Sequence, residues 1–188
     1  MLWRYSNRSE PRARALADRH YNRQKVGAAQ FVPPGRCAVF YAQTSSGEAF
    51  WVTSWPFAEY VKHAWPGAWI SSAFRNEGAA CASALIRQAV AATRFVLGEP
   101  PALGMVTFID RDKVRPVMVR GRRIWGWTYR RAGFREVGET AGGLLVLQLL
   151  PSDMPAAERP LTELEAAAAL SAGGPAAEFI AASVEWRP

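Results

Sequence analysis

The stretch "FRNEGAACASALIRQAV", residues 74–90, joins a β-rich run to an alanine-rich segment, and the fold is decided at this junction. Upstream, "AWISSAF" (68–74) predicts a short strand. Downstream, apolar residues recur at helical spacing at Leu85, Ile86, Ala89 and Val90. Gly78 and the two alanines after it lack bulk, so a ligand can approach the backbone closely. Because a helix N-terminus presents unpaired N–H groups and a positive dipole, the junction predicts a phosphate or pyrophosphate site.

Four further segments supply more strands and helices. "CAVFYAQTSSGEAFWVTSW" (37–55) predicts a β-hairpin, because two β-rich runs flank the turn "SSGE". "ALGMVTFID" (102–110) predicts a buried strand. "IWGWTYRRAGF" (124–134) predicts a helix that ends at Gly133, and "REVGETAGGLLVLQLL" (135–150) predicts a turn followed by a last strand.

The remaining segments are less regular. Residues 10–20 and 160–171 predict short helices. "PFAEYVKHAWPGAW" (56–69) predicts an aromatic, partly helical segment, and "RDKVRPVMVRGRR" (111–123) predicts a basic loop. The order of strands and helices along the chain predicts an α/β fold with a central sheet and flanking helices.

Composition indicates one globular domain with a distinct C-terminal part. The 188 residues are 49% apolar and 21% charged, which suffices for one sizeable core. After Pro151 the sequence becomes rich in Ala, Pro and Glu. This shift divides the chain into a domain at 1–150, with a basic N-terminal segment, and an appendage at 151–188.

The net charge indicates the class of binding partner, and the cysteine spacing indicates the cellular compartment. A net charge of +7 favours DNA, RNA or an anionic cofactor, with an ordinary basic surface as the alternative. Cys37 and Cys81 show neither disulfide nor zinc spacing, which suits a reducing cytoplasm. The N-terminus has no apolar signal segment, and no apolar run has the length of a membrane span. We therefore expect a cytoplasmic protein that does not bind membranes.

Two motifs resemble those of the GNAT superfamily of N-acyltransferases. "RNEGAA" (75–80) fits the pyrophosphate-loop pattern Arg/Gln-x-x-Gly-x-Gly/Ala. "TYRRAGFREVGET" (128–140) is similar to the second signature, a helix carrying Tyr-x-x-x-Gly-Phe before a polar turn and a strand. The resemblance covers roughly residues 35–150 and implies a mixed central sheet in which two parallel strands splay apart. Here those strands are 68–74 and 102–110, and the pantetheine arm of an acyl-CoA such as acetyl-CoA would lie between them.

The same resemblance implies roles for individual residues. The cofactor pyrophosphate would bind the loop formed by Arg75, Asn76, Glu77, Gly78, Ala79 and Ala80. Tyr129 would protonate the leaving thiolate. The alternative for Tyr129 is a ring packed in the core with its hydroxyl hydrogen-bonded.

A narrower resemblance, over about residues 17–151, is to the Mom family of bacteriophage DNA-modification proteins. It is carried by "ADRHYNRQKVGAAQFVPPGRCAVF", "WVTSWPFAEYVKHAWPGAW", "FRNEG", "GMVTFID" and "YRRAGFREVGETAGGLLVLQLLP". Members of that family are GNAT-like in fold and attach a carbamoylmethyl group to the exocyclic N6 amine of adenine, which protects phage DNA from restriction. The resemblance implies that activity here, on double-stranded DNA whose target adenine is flipped out of the helix.

An enzyme of this kind needs cations for phosphates and aromatic faces for the base. Two basic segments supply the candidate DNA-binding residues: Arg19, Arg23, Lys25, Arg111, Lys113, Arg115, Arg122 and Arg123. Trp55 is the aromatic candidate, from a cluster that also contains Trp51, Phe57, Tyr60, Trp65 and Trp69. The alternatives are a solvated basic face and aromatic rings packed in the core.

Three further residues are catalytic candidates. His20 and Tyr21 lie in the basic stretch "DRHYNRQK", where His20 would be a general base or a metal ligand. Asp110 ends a predicted strand and would orient the adenine amine or bind a metal. An iron requirement is associated with the Mom family, so His20 and Asp110 are the metal pair to test, although the chain has no complete ligand motif. The alternatives are a surface role for His20 and a loop cap for Asp110.

The sequence leaves the donor and two other functions open. In the carbamoylmethyl product a methylene carbon is bonded to the base, so direct attack of adenine on an acetyl thioester cannot form it. A glycine-derived donor, or assistance from a redox metal, is needed instead. A conventional acyl-CoA-dependent N-acetyltransferase acting on a small amine or a protein is the alternative enzyme. A non-catalytic nucleic-acid-binding protein on the same fold is the third hypothesis, and the oligomeric state is not defined.

Overall fold

The predicted hairpin is the longest regular feature of the protein. The structure, a computed structural model, describes residues 1–32, 35–57, 59 and 61–172. Strands β2 (Arg36–Thr44) and β3 (Gly47–Trp55) have nine residues each and pair without interruption from Arg36↔Trp55 to Thr44↔Gly47. The hairpin prediction is therefore confirmed.

The hairpin belongs to a seven-stranded sheet with the order β1-β2-β3-β4-β5-β9-β8. The other strands are β1 (Arg4–Ser6), β4 (Trp69–Glu77), β5 (Met105–Ile109), β8 (Arg135–Glu139) and β9 (Leu145–Leu149). All neighbouring pairs are antiparallel except β4 and β5. The fold is thus mixed α/β with a large, mostly antiparallel sheet, as the coarse prediction required.

The parallel pair β4–β5 is short. Its register contains two residue pairs, Trp69↔Met105 and Ile70↔Val106. Beyond Ile70, β4 continues along β3 as far as Asn76, while β5 continues along β9. In the described part of the chain, the two strands thus pair at their beginnings and not along their full lengths.

Helices cover both faces of the sheet. They are α1 (Pro11–Asp18), α2 (Ala82–Leu97), α3 (Trp127–Arg131) and α4 (Glu163–Ser171), and a short 3-10 turn occupies Pro151–Asp153. None of the helices in the described residues combines the length and the apolar composition of a transmembrane span.

The main core lies between α2 and one face of the sheet. The apolar stripe predicted for α2 is buried there against Trp51 and Trp69, both of which are fully buried. Full burial of a side chain such as Leu85 or Ile86 contributes about 1.5–3 kcal/mol. A second core on the opposite face packs Leu16 of α1 against strand residues such as Phe50. The helix periodicity in the sequence therefore predicted the correct buried face.

Several local predictions were wrong. The stretch 111–123, predicted as a loop, contains the two-stranded ribbon β6 (Val117–Val119) and β7 (Arg122–Ile124). The segment after Phe134 was predicted to begin with a turn. It begins with strand β8 instead, because its backbone pairs with β9. The predicted helix at 124–134 is only the five residues of α3. Segment 56–69 has no α-helix among its described residues.

The C-terminal segment packs on the sheet as far as residue 172. Leu161 N–H donates to Trp3 O at 2.8 Å and Leu161 O accepts from Tyr5 N–H at 3.3 Å. Thr162 and Glu165 form a reciprocal capping box at the start of α4, whose existence was predicted. Residues 173–188, the end of the predicted appendage, lie outside the described residues.

Two glycines allow the β2–β3 turn to meet the end of β4. A Cβ built on Gly47 would lie 1.9 Å from Glu77 O, and one on Gly78 would lie 2.9 Å from Ser46 O. Gly78 also has φ +88°, in the left-handed region that other residues rarely adopt. The absence of a side chain at Gly78 is therefore required by the fold itself, independently of any ligand.

We predict that Gly47→Ala lowers the free energy of unfolding by about 1–3 kcal/mol, because the new methyl group must displace backbone. Urea denaturation of the full chain measures this value. Gly142→Ala is the matched control, since the nearest atom to its added Cβ is Thr140 Oγ1 at 3.9 Å. Equal stability of the two variants would contradict the close approach.

Candidate active site

A cavity of about 170 Å³ opens where β4 and β5 stop pairing. Its walls come from Ser71–Phe74 of β4, Thr107–Ile109 of β5, and Tyr129 of α3. His20 and Tyr21, which follow α1, complete the lining. Three of the four predicted catalytic residues therefore meet at one place, although 109 positions separate Tyr129 from His20 in the sequence.

The Tyr129 hydroxyl points to the place where strands β4 and β5 stop pairing. Its oxygen lies 2.9 Å from Ser71 Oγ, and its ring packs edge-on against Phe134 at a centroid distance of 5.2 Å. Burial raises the pKa of Tyr129 to about 12, although hydrogen bonds with Ser71 and Thr107 act in the opposite direction. The phenol is therefore protonated at neutral pH and can donate a proton to a leaving group.

His20 is held as a neutral ring. Its Nδ1 accepts a hydrogen bond from Asn22 N–H at 3.2 Å, and the ring stacks on Tyr21 at a centroid distance of 4.6 Å. Burial and the positive charge of Arg75 lower the pKa of His20 to about 4, against the effect of a hydrogen bond to the Phe74 backbone. The ring therefore lines the cavity in its neutral form.

Asp110 lies next to the cavity and caps the loop that follows β5. Its Oδ1 accepts from Asp112 N–H at 3.0 Å, and its Oδ2 lies 3.2 Å from Lys113 Nζ. The hydrogen bond from Lys113 holds the pKa of Asp110 below its usual value. Burial and the negative charge of Asp110 raise the pKa of Tyr21. The capping role that the sequence left open for Asp110 is the one its contacts show, within electrostatic reach of Tyr21.

The predicted metal pair does not fit a metal site. Among the described residues, no group of three or more His, Cys, Asp or Glu side chains is placed to bind an ion. His20 Nδ1 is engaged by Asn22, and both carboxylate oxygens of Asp110 have partners. His20 and Asp110 therefore stand without a third His, Cys, Asp or Glu ligand among the described residues, which is too few side chains for an iron site.

The predicted pyrophosphate loop begins with three residues that are part of β4. Phe50↔Arg75 and Ala49↔Asn76 are ladder pairs with β3, so this part of the motif is extended strand. Glu77 binds two arginines: Arg19 donates to it at 2.9 and 2.6 Å, and Arg75 Nε donates at 2.5 Å. Arg19 therefore pairs with Glu77 within the protein, and its role as a phosphate ligand stays a prediction.

Beyond Glu77 the loop is bonded largely to itself. Asn76 Oδ1 accepts from Ala79 N–H at 3.0 Å, and Asn76 Nδ2 donates to Ala80 O at 2.8 Å. At the start of α2, hydrogen bonds from the Ser83 side chain and from the backbone of Ala84 and Ser83 lower the pKa of Cys81. Several N–H groups that the motif would offer to a pyrophosphate thus have protein partners. The loop is an incomplete fit to that group.

Three of the predicted DNA-binding cations make internal contacts. Arg23 is mostly buried and bonds Asp18 at 2.7 Å, Ala28 O at 2.8 Å and Gln30 O at 3.1 Å. Arg111 pairs with Glu139 at 2.7 Å, and Lys113 pairs with Asp110. The Arg23 guanidinium thus holds the segment after α1 in shape, and its binding of DNA stays a prediction.

The remaining predicted cations are exposed. They are Lys25, Arg115, Arg122 and Arg123. Arg122 and Arg123 lie on β7, and the ribbon β6–β7 also exposes Val117 and Met118, at 44% and 61%. The ribbon therefore combines two exposed arginines with two exposed apolar side chains.

Most of the aromatic cluster belongs to the core. Trp51 and Trp69 are fully buried, which confirms the core alternative for them. Trp55 packs edge-on against Trp69, donates from Nε1 to Gly67 O at 3.1 Å, and lies under the Arg36 guanidinium. This half-buried position gives Trp55 a structural role. Tyr60, another member of the cluster, lies outside the described residues.

Sequence reasoning missed two cavity residues on the strands, Ser71 and Thr107. Thr107 Oγ1 donates to Ser71 O at 3.3 Å, and Ser71 Oγ contacts the Tyr129 hydroxyl. A signal was present, because "SSAF" and "VTF" place hydroxyl residues inside strands that are otherwise apolar.

No family model, curated protein or solved structure matches this chain. The function of the site therefore has to be inferred from its own geometry and from the sequence resemblances.

The Arg19–Glu77–Arg75 contact predicts a specific pH dependence. Hydrogen bonds from Arg19 and Arg75 lower the pKa of Glu77 from 4.5 to about 2. A carboxylate whose pKa is lower in the folded state than in the unfolded state stabilises the folded protein at pH values above the unfolded-state pKa. This stabilisation is lost as pH falls from about 4.5 towards about 2. We predict that Glu77→Gln reduces the difference in unfolding free energy between about pH 7 and about pH 3.

Urea denaturation at the two pH values measures this difference. Glu99→Gln is the control, because the Glu99 side chain is 93% exposed and should leave the pH dependence unchanged. If Glu77→Gln kept the wild-type pH dependence, the carboxylate would not be bound by the two arginines in solution.

Proposed function

We propose that this protein transfers a carbamoylmethyl-type group to the exocyclic N6 amine of adenine in DNA. The observation that carries the proposal is the convergence of His20, Tyr21 and Tyr129 on the cavity between β4 and β5, with Asp110 beside it. Tyr129 is the residue that the GNAT resemblance implies for catalysis, and His20, Tyr21 and Asp110 are the further catalytic candidates of the sequence. Segments that are far apart in the sequence supply them to one site.

The sheet supports a GNAT-like architecture as part of the proposal. Strand β4 leads into α2, and β4 and β5 form a parallel pair that extends over two residue pairs only. A parallel pair that separates in this way leaves backbone groups and space for an extended ligand. The cavity lined by both strands lies at this separation.

Tyr129 is the residue that we assign to proton donation. The adenine nitrogen forms a bond to the methylene carbon of a donor that already carries the carboxamide, the bond between that methylene carbon and its leaving group breaks, and the leaving group takes a proton. The protonated phenol of Tyr129, fixed by Ser71 at 2.9 Å, supplies it. The amine releases one of its own protons, which keeps the step balanced.

The donor is either glycine-derived or an acyl-CoA. A glycine-derived group contains the atoms of the carbamoylmethyl product, whereas an acetyl thioester does not. Asn76 Oδ1 occupies the Ala79 N–H, a group that would otherwise be available to a pyrophosphate. This incomplete fit favours the glycine-derived donor.

The ribbon β6–β7 is the element that we assign to DNA binding. Arg122 and Arg123 are exposed on it, and Met118 projects beside them at 61% exposure. Basic side chains bind phosphates, while apolar side chains in minor-groove proteins insert between base steps and unstack them. A basic ribbon with an exposed apolar side chain on β6 therefore suits an enzyme that must extract a base from a duplex.

The alternative function is a conventional acyl-CoA-dependent N-acetyltransferase acting on a small amine or a protein. The separation of β4 from β5 and the protonated Tyr129 favour it as much as the first proposal. The exposed cations of β7 do not favour this alternative, because they would not help the enzyme to bind a small amine.

Mass spectrometry of nucleosides tests the proposed activity. DNA from cells that express the full chain should contain an adenosine heavier by a carbamoylmethyl group. Tyr129→Phe should lower its yield by about 100-fold or more, the usual contribution of a general acid. Tyr5→Phe, at an exposed tyrosine of β1, is the matched control. Equal yields from wild type and Tyr129→Phe would remove the catalytic role of Tyr129, and acetylated amines without a modified base would favour the alternative.

DNA binding by the ribbon predicts a change in salt dependence. Arg122→Ala and Arg123→Ala should each weaken binding to duplex DNA and reduce the slope of log K against log salt by about 0.9 for each phosphate that the variant no longer neutralises. Fluorescence anisotropy at several salt concentrations measures the slope. Arg159→Ala is the control, because Arg159 pairs with Glu165 near α4. An unchanged slope for both ribbon variants would place the DNA elsewhere.

A further inference from the structure

A second and larger cavity adjoins the candidate active site. It measures about 380 Å³, within the range of about 300–1,000 Å³ that small-molecule sites occupy. Its floor is apolar and belongs to the face of the sheet that α1 covers, with Phe50, Val52 and Ala73 as examples. Its rim is the segment after α1. Neither the proton donor nor the DNA-binding ribbon uses this space.

The rim consists largely of neutral hydrogen-bonding groups. Asn22, Gln24 and Gln30 place primary amides around the opening. A primary amide both donates and accepts hydrogen bonds. None of the described residues that line the cavity is a carboxylate, and its one arginine, Arg23, is paired with Asp18 at 2.7 Å. The lining thus suits an uncharged ligand whose edge carries both donors and acceptors.

Aromatic rings define the shape of the cavity. Phe31 meets Phe50 edge-on at a centroid distance of 5.9 Å, and His20 meets Phe50 edge-on at 6.3 Å. Rings of this kind give a planar ligand apolar contacts on its faces. A planar, uncharged group with a hydrogen-bonding edge is a nucleobase.

The two cavities share three residues. His20, Ser72 and Ala73 line both of them, so the two cavities are adjacent at the His20 ring. Ser72 is fixed by a 2.6 Å hydrogen bond to Ser54 Oγ, which makes this shared wall part of the sheet. Tyr129 lines the smaller cavity only. The geometry therefore separates a binding compartment from a reaction compartment.

We propose that the larger cavity binds the adenine base, with the amides of Asn22, Gln24 and Gln30 on its hydrogen-bonding edge. The proposal rests on the proposed function, because it assigns the substrate base of that reaction to a position. Asparagine and glutamine amides match the donor N6 and the acceptor N7 of adenine in a bidentate pair. Arg23 is a positioning residue, since its bonds to Ala28 O and Gln30 O hold the rim in place.

Nuclear magnetic resonance titration tests the assignment without requiring the reaction. Isotope-labelled full chain is titrated with millimolar deoxyadenosine monophosphate, and separately with thymidine monophosphate. We expect the adenine nucleotide to shift the signals of the Asn22, Gln24 and Gln30 side-chain amides and the backbone signal of Ala73. Equal shifts with both nucleotides, shifts confined to other regions, or no shifts at all would overturn the proposal.

Two variants make the test specific to the cavity. Gln30→Ala removes one rim amide while keeping the backbone carbonyl that Arg23 binds, and Ala73→Leu fills the shared wall. Each should weaken adenine-nucleotide binding by roughly tenfold, the effect of removing one hydrogen bond or of a steric block. Gln43→Ala, at an exposed glutamine of β2 outside this cavity, should bind normally. Normal binding by both cavity variants, with a normal thermal unfolding midpoint, would also overturn the proposal.

A single-stranded oligothymidylate that carries one deoxyadenosine separates a base in DNA from a free nucleotide. Tighter binding than the all-thymidine strand, with shifts at the same amides, supports a base presented by DNA. If only the mononucleotide shifts the amide signals, the cavity does not bind a base presented by DNA, and its ligand is a free nucleotide. If nucleoside mass spectrometry finds modified adenine and the cavity variants still bind normally, the base site fails while the function stands. If the cavity binds adenine and no modified base is found, the function fails and the site stands.

Discussion

The candidate active site depends on the place where β4 and β5 cease to pair. After Ile70 the backbone of β4 has a ladder partner on its β3 side only, and buried backbone groups must be bonded somewhere. Thr107 Oγ1 provides a hydrogen-bond partner for one of these backbone groups, because it donates to Ser71 O at 3.3 Å. Ser71 Oγ in turn fixes the Tyr129 hydroxyl at 2.9 Å. The hydroxyl side chains around the cavity are thus a consequence of the strand separation, and so is the position of the proton donor.

A second constraint connects the segment after α1 to the end of β4. Glu77 holds Arg19 and Arg75 together, and Arg75 Nη1 also donates to Arg19 O at 2.6 Å. Because His20 follows Arg19 directly, this contact fixes the imidazole at the wall between the two cavities. It also uses two arginines inside the protein. Part of the positive charge behind the net value of +7 is therefore engaged by Glu77, whereas Arg122 and Arg123 are exposed on β7.

The sequence predicted those parts of the fold whose pattern is local. The hairpin β2–β3 and the buried face of α2 follow from periods of two and of 3.6 residues, and both are confirmed. Strands β6, β7 and β8 were missed because they are short, basic or interrupted by Gly138, and their pairing depends on partners elsewhere in the chain. The same limit applies to the site. The motif at 75–80 could be recognised, but the contact between Gly78 and Ser46 comes from a turn 32 positions earlier and is not visible in the motif.

The protonation states at the site suit an aromatic amine as nucleophile. Tyr129 is protonated and His20 is neutral and bonded, so neither is placed as a strong base at neutral pH. The lone pair of the adenine amine is delocalised into the ring, and its nitrogen carries no proton that must be removed before attack. Bond formation makes that nitrogen strongly acidic, so a weak acceptor such as water or the ionised Asp110 suffices to take its proton. What such a reaction needs from the protein is a proton for the leaving group and a fixed position for the base. The first requirement falls to Tyr129, and the second is the role that the neutral, amide-lined cavity beyond His20 is suited to fill.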